Sequence, residues 1–190
     1  MSYTLSEKAA GLVPYEPIAG NYRVRLDANE SFLPLSHEAQ KAVQKALGEA
    51  AFNRYPDPAA AGVCGRFAGY YGLDPAMVTA GNGSDELISV IVNTFLQKGE
   101  RATVLSPDFS MYSFYLALAE VECVTLQKGE NFEIDVAQLL EVLRSSDSRM
   151  LLFSNPCNPT GRGLSREQVL ELVRGTDALI VLDEAYMDFW

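Results

Sequence analysis

Three short segments hold the residues that could do chemistry. Gly81-Asn-Gly-Ser-Asp-Glu86 precedes an apolar period at Leu87, Ile88, Ile91 and Val92. Glycines let the backbone turn tightly, and the free amides of a helix start, helped by the helix dipole, can hold a phosphate. Serine and acids also favour a helix start with no ligand present, so an ordinary capped helix and a phosphate site both stay open. A dinucleotide-binding loop fits less well, because the third glycine is missing and about 80 residues precede the segment where a first strand is required.

Ser154-Asn-Pro-Cys-Asn-Pro-Thr-Gly161 follows the apolar run Met150-Leu-Leu-Phe153. Its prolines fix the loop, while Asn155 and Asn158 offer neutral amides suited to a phenolic oxygen on a ring. A plain proline-asparagine turn would have the same composition. Asp183-Glu-Ala-Tyr186 closes the run Leu179-Ile-Val-Leu182. At the end of a central, buried strand an isolated carboxylate is costly unless a cation pairs with it. A protonated pyridine nitrogen is such a cation, and the pairing would keep the ring an electron sink. The alternative is an aspartate that caps the next segment.

These segments need elements to position them. From Ala76 onward helical and strand periods alternate: helices over 84–96, 110–119, 135–143 and 165–173, strands over 102–105, 121–126, 150–153 and 179–182. The alternation predicts an α/β fold, a three-layer arrangement of a mostly parallel sheet with helices on both faces, and a site at the carboxyl ends of the strands. Upstream, Pro14, Pro17 and Pro34 suggest an extended arm over residues 1–35 with one short strand near 22–26. Ser36 opens a helix running to Ala50, and Pro58 is placed to start the next, ending near Gly72. The pentapeptide Leu-Gln-Lys-Gly-Glu occurs at 96–100 and 126–130, a shared turn composition with no structural repeat behind it.

Composition narrows the function. With 48% apolar and 21% charged residues the chain can bury a sizeable core. Twenty-five acids against 15 bases, with no basic block, predict no nucleic-acid or membrane partner. No apolar run is long enough to span a bilayer and no leader pattern opens the chain, so a cytoplasmic protein is expected. Cys64, Cys123 and Cys157 are too irregular for a disulfide framework or a zinc site, and no metal is expected. His37 is the sole histidine, which removes mechanisms needing a histidine pair or a Ser-His-Asp triad.

Taken in order with Pro107-Asp-Phe-Ser-Met-Tyr112, the three segments resemble the class I/II, fold-type I aminotransferases, which bind pyridoxal 5'-phosphate. Arg25-Leu-Asp-Ala-Asn-Glu30 and Asn53-Arg-Tyr-Pro-Asp57 are similar to signatures of the histidinol-phosphate aminotransferase subgroup. The likeness implies that Gly83, Ser84 and Asp85 give backbone amides to the cofactor phosphate and that Phe109 stacks on its ring. It further implies that Asn158 and Tyr186 bond the 3-hydroxyl oxygen and that Asp183 pairs with the ring nitrogen. Tyr55 would reach the cofactor phosphate of a neighbouring subunit in a homodimer with composite sites, and Tyr15 and Asn29 would serve the substrate. Phe109 stands where tyrosine is usual, but stacking needs only a ring.

The resemblance implies amino transfer between histidinol phosphate and 2-oxoglutarate, a small-molecule donor and a 2-oxo acid. Threonine-phosphate decarboxylation or aromatic amino transfer on the same fold is the nearest alternative, and a non-catalytic binding domain is one of another class. The family's lysine, which holds the cofactor covalently and moves protons, lies beyond Asp-Glu-Ala-Tyr. Lys8, Lys41, Lys45, Lys98 and Lys128 all precede the Asn-Pro-Thr-Gly loop, and each fits a solvated helix or turn position. No catalytic residue is therefore assigned. The expectation is an N-terminal portion, with an arm over 1–35, an incomplete cofactor-binding large domain over 36–190 and no C-terminal small domain, unable to transaminate alone and liable to self-associate through uncovered apolar surface and a strand edge.

Overall fold

The structure, a computed structural model, describes residues 4–12, 18–26 and 28–190. Its chain divides into two units, Met1–Val13 with Gly81–Trp190, and Pro14–Ala80.

The first unit contains α1 (Glu7–Ala10), α4 (Gly83–Phe95), β1 (Arg101–Ser106), α5 (Met111–Leu118), β2 (Glu122–Gln127), α6 (Val136–Ser145), β3 (Met150–Ser154), α7 (Arg166–Arg174) and β4 (Leu179–Asp183), with a closing 3-10 turn at Met187–Phe189. The strands form one parallel sheet in the order β2-β1-β3-β4. Side chains alternate between sheet faces along a strand, and β1 and β3 bury apolar residues on both. Ala102, Val104, Met150 and Leu152 pack with Ile88 and Val92 of α4 and Tyr112 and Leu116 of α5. Leu105, Leu151 and Phe153 pack with Leu139 and Leu143 of α6 and Leu172 of α7. Two helices on each face make the three layers that the alternation predicts, and every residue of β3 is buried.

The expectation that β4 is central is corrected. It pairs only with β3 among the described residues, lies at the sheet edge and is half-buried. Its register puts Asp183 beside Ser154, so the ends of β3 and β4 open on the same side.

The second unit holds α2 (His37–Glu49), α3 (Ala61–Tyr71) and a 3-10 turn at Pro75–Met77. Ser36 caps α2 through the Ala39 amide at 3.2 Å, as its sequence predicts. The start expected at Pro58 moves to Ala61. Asp57, one residue before the proline, accepts from the amides of Ala59 (3.0 Å) and Ala61 (2.7 Å), so the acid organises a turn that Pro58 occupies. The strand expected near 22–26 is absent: described residues of that stretch form no ladder and are exposed. An extended segment without a neighbouring strand gains too little to hold that form. Among the described residues no helix is long and apolar enough to cross a membrane.

Candidate functional site

The strand order reverses at β1, whose neighbours are β2 on one side and β3 on the other. Crevices that bind ligands in open parallel sheets lie beyond the carboxyl ends of the strands at such a reversal. A cavity of about 220 Å3 lies there, lined by residues of the first unit alone. The start of α4 supplies Asn82, Gly83, Ser84 and Asp85; the segment after β1 supplies Phe109 and Tyr112. The end of β3 and its loop add Ser154 and Asn158, and the end of β4 adds Asp183, Ala185 and Tyr186.

All seven first-unit residues expected to hold a cofactor therefore share one cavity: Gly83, Ser84, Asp85, Phe109, Asn158, Asp183 and Tyr186. Asn29 and Tyr55 belong to the second unit, where Tyr55 is fully exposed. Tyr15 lies outside the described residues. Four lining residues, Asn82, Tyr112, Ser154 and Ala185, carry no role in the sequence reading although all stand inside segments it singles out. The available signal for Tyr112 is its spacing, three residues after Phe109, which places both on one side of a helical turn.

The start of α4 distinguishes the two readings of its sequence. Asn82 makes no side-chain capping bond. Glu86 instead turns back to accept from the Asn82 amide at 2.5 Å and its side-chain nitrogen at 3.1 Å. Ser84 and Asp85 lie in the first turn of the helix, so neither caps it. Gly83 starts the helix at φ 82°, a conformation costly for any residue with a Cβ. First-turn amides have no partner within a helix, and here Gly83, Ser84 and Asp85 line the cavity while the N-cap side chain makes no capping bond, an arrangement suited to an anion.

Asp183 does not wait for a cation, as the sequence reading requires. Its Oδ2 accepts from the Tyr112 hydroxyl at 2.9 Å and its Oδ1 from the Ala185 amide at 3.1 Å. These bonds aim the carboxylate and leave it lone pairs for a further donor. Burial pushes the Tyr112 phenol far above its ordinary pKa of 10.0, and the carboxylates of Asp183 and Asp108 raise it further. Tyr112 is thus a fixed donor that keeps its proton. Burial, with Asp85 nearby, also raises Tyr115.

The stability that Tyr112 adds is complete below pH 10.0, where the phenol is neutral in both folded and unfolded chains. It is lost as pH rises further, because only the unfolded chain releases the proton. Between about pH 10 and 11 wild type should lose about 1 kcal/mol more than Tyr112→Phe, measured by urea unfolding at each pH. Equal slopes would contradict the assignment.

A second departure concerns Lys128. Expected on a solvated turn, its side chain is only 1% exposed and forms an ion pair at 3.1 Å with Asp108, itself 2% exposed. No lysine lines the cavity among the described residues. All three cysteines are free thiols, with Cys157 buried.

Comparison with known proteins gives a consistent family. The family profile described as aminotransferase class I and II matches residues 23–190. A histidinol-phosphate aminotransferase of Clostridium kluyveri is 40% identical over 177 residues, 93% of this chain and 50% of the relative. The crystal structure of histidinol-phosphate aminotransferase from Sinorhizobium meliloti in complex with pyridoxal-5'-phosphate superposes with a TM-score of 0.78 at 25% identity, covering 85% of this chain and 44% of that one. L-threonine-O-3-phosphate decarboxylase from Porphyromonas gingivalis superposes with a TM-score of 0.66 at 25% identity, covering 81% and 46%. The chain spans about half the length of the curated relatives it matches.

Proposed function

The chain belongs to the class I and II aminotransferases, and on that premise we propose that its cavity binds pyridoxal 5'-phosphate for amino transfer from histidinol phosphate to 2-oxoglutarate. The observation that carries the cofactor reading is the convergence, in one cavity, of an uncapped helix start, an aromatic ring, a side-chain amide, a phenol and an aimed carboxylate. Amides of Gly83, Ser84 and Asp85 hold the phosphate, where the helix dipole favours negative charge. Phe109 covers the ring, Asn158 and Tyr186 bond its 3-hydroxyl oxygen, and Asp183 keeps the ring nitrogen protonated. The bound cofactor supplies the electron sink that eases proton removal from a substrate carbon.

The amino donor rests on the relatives' names, with 37% and 40% identity in two clostridial proteins. The neighbouring decarboxylase favours a second reading, a threonine-phosphate lyase on the same scaffold. We further propose an arm over 1–35, an incomplete cofactor-binding large domain over 36–190, a cytoplasmic location and a homodimer. In that dimer Tyr55 serves the neighbouring subunit's cofactor, and Tyr15 and Asn29 serve the substrate. No lysine of this chain is assigned a covalent role, since none lines the cavity among the described residues.

Two assays test the reading. Pyridoxal phosphate should bind the chain reversibly and be removed by dialysis, leaving no mass increment at the cavity after borohydride; binding of a nicotinamide dinucleotide with indifference to pyridoxal phosphate would overturn it. Amino transfer to 2-oxoglutarate by the protein that carries this chain should run fastest with histidinol phosphate. Faster turnover of threonine phosphate or phenylalanine would reassign the donor.

A further inference from the structure

A buried ion pair outside the cavity joins the three strand ends behind it. Lys128 directly follows β2, its amide donating to the Ser106 carbonyl at the end of β1 at 2.8 Å. From there Nζ reaches Asp108 Oδ2 at 3.1 Å and Cys157 Sγ, in the loop after β3, at 2.8 Å. Neither Lys128 nor Asp108 lines the cavity. The other oxygen of Asp108 accepts from the Phe109 amide at 2.8 Å and from the Ser154 hydroxyl. Ser154 Oγ in turn accepts from the Asn158 amide at 3.3 Å. One carboxylate therefore fixes the backbone of Phe109 and, through Ser154, the backbone of Asn158. A buried carboxylate holds such an arrangement only while a cation neutralises it, and Lys128 is that cation.

We propose that Lys128 and Asp108 are positioning residues that set Phe109, Ser154 and Asn158 for the ligand without touching it. The ion pair acts as a hub under the cavity floor: its ammonium ties β2 to the loop after β3, and its carboxylate orders the residues that face inward. A part of this, the effect on cofactor affinity, rests on the pyridoxal phosphate reading; the ordering of the loop does not.

Four proteins separate positioning from bulk stability: wild type, Lys128→Arg, Lys128→Met, and the double variant Lys128→Met with Asp108→Leu. Removing one partner of a buried pair destabilises, whereas replacing both by apolar residues of similar volume restores stability. Lys128→Met should therefore lower the melting temperature and the double variant should recover part of that loss, since Asp108→Leu also removes the acceptor of the Phe109 amide and the Ser154 hydroxyl. Affinity for pyridoxal phosphate, measured by equilibrium dialysis, should fall at least about tenfold in both and return toward wild type in Lys128→Arg. A double variant that recovers affinity together with stability would overturn the proposal. Amide hydrogen exchange on the ligand-free chain gives a second readout. Exchange at Asn158 should be at least about tenfold faster in the double variant, with Val104 and Leu152 unchanged. Wild-type exchange at Asn158 in that variant would overturn the proposal, while a wild type that orders its loop through the pair and yet binds no pyridoxal phosphate would overturn only the cofactor reading.

Discussion

Asp183→Ala should weaken pyridoxal phosphate binding by about 1.5–3 kcal/mol, roughly 10- to 150-fold, the range for a hydrogen bond to a charged group. The carboxylate ends β4 at the cavity, aimed by Tyr112 and Ala185, and among the described residues the other acid lining the cavity is Asp85, at the start of α4. Alanine removes the proposed partner of the ring nitrogen and also the acceptor of the hydroxyl of Tyr112, a residue 1% exposed. That second effect costs stability by itself, since a buried donor without an acceptor loses about 1–3 kcal/mol. Asp183→Asn separates the two. It can accept the Tyr112 proton and keep the fold within about 1 kcal/mol of wild type, yet it lacks the charge that holds the ring nitrogen protonated. Equilibrium dialysis and urea unfolding on both variants decide the matter: an asparagine variant with wild-type affinity would remove Asp183 from the site.

Phe153→Ala should cost about 3–5 kcal/mol of stability, the largest loss expected from any single core truncation here. Phe153 is fully buried in β3, whose other residues are buried too, and it packs in the cluster that joins the sheet to α6 and α7. Domains of this size hold only about 5–15 kcal/mol in total, so such a loss consumes a large share. Leu33→Ala, at an exposed position, should stay within about 0.5 kcal/mol. Urea midpoints of the two variants test the placement of the core, and a Phe153→Ala midpoint near wild type would contradict it.

How far the sequence reveals the molecule depends on whether a property is local. The run Met150-Leu-Leu-Phe153 is apolar at every position because β3 is covered on both faces, and this marks a parallel sheet without further information. The cavity's main residues are legible because glycines, prolines and asparagines in fixed order mark where the backbone must turn at strand ends. Burial of a polar side chain is not legible in the same way. Leu-Gln-Lys-Gly-Glu occurs twice, yet Lys98 is 76% exposed beside Glu120 and Lys128 is 1% exposed beside Asp108. Only the neighbours brought by the fold differ. Tyr112 escapes for a related reason: its partner Asp183 lies 71 residues away, at the end of β4. The failed strand near 22–26 has the converse cause, since alternation can be written into a segment for which the described fold supplies no partner. At α3 a proline was the visible signal, whereas the aspartate before it makes the bonds.

The central claim is that this cavity holds pyridoxal phosphate, with the phosphate at the start of α4 and the ring between Phe109, Asn158 and Asp183. Titration of the isotope-labelled chain with pyridoxal phosphate, followed by amide NMR shifts, tests it most directly. The predicted result is saturable shifts concentrated at Gly83, Ser84, Asp85, Phe109, Asn158 and Asp183, with pyridoxal lacking the phosphate leaving the first three unmoved. Absent shifts, or shifts centred elsewhere, would contradict the claim.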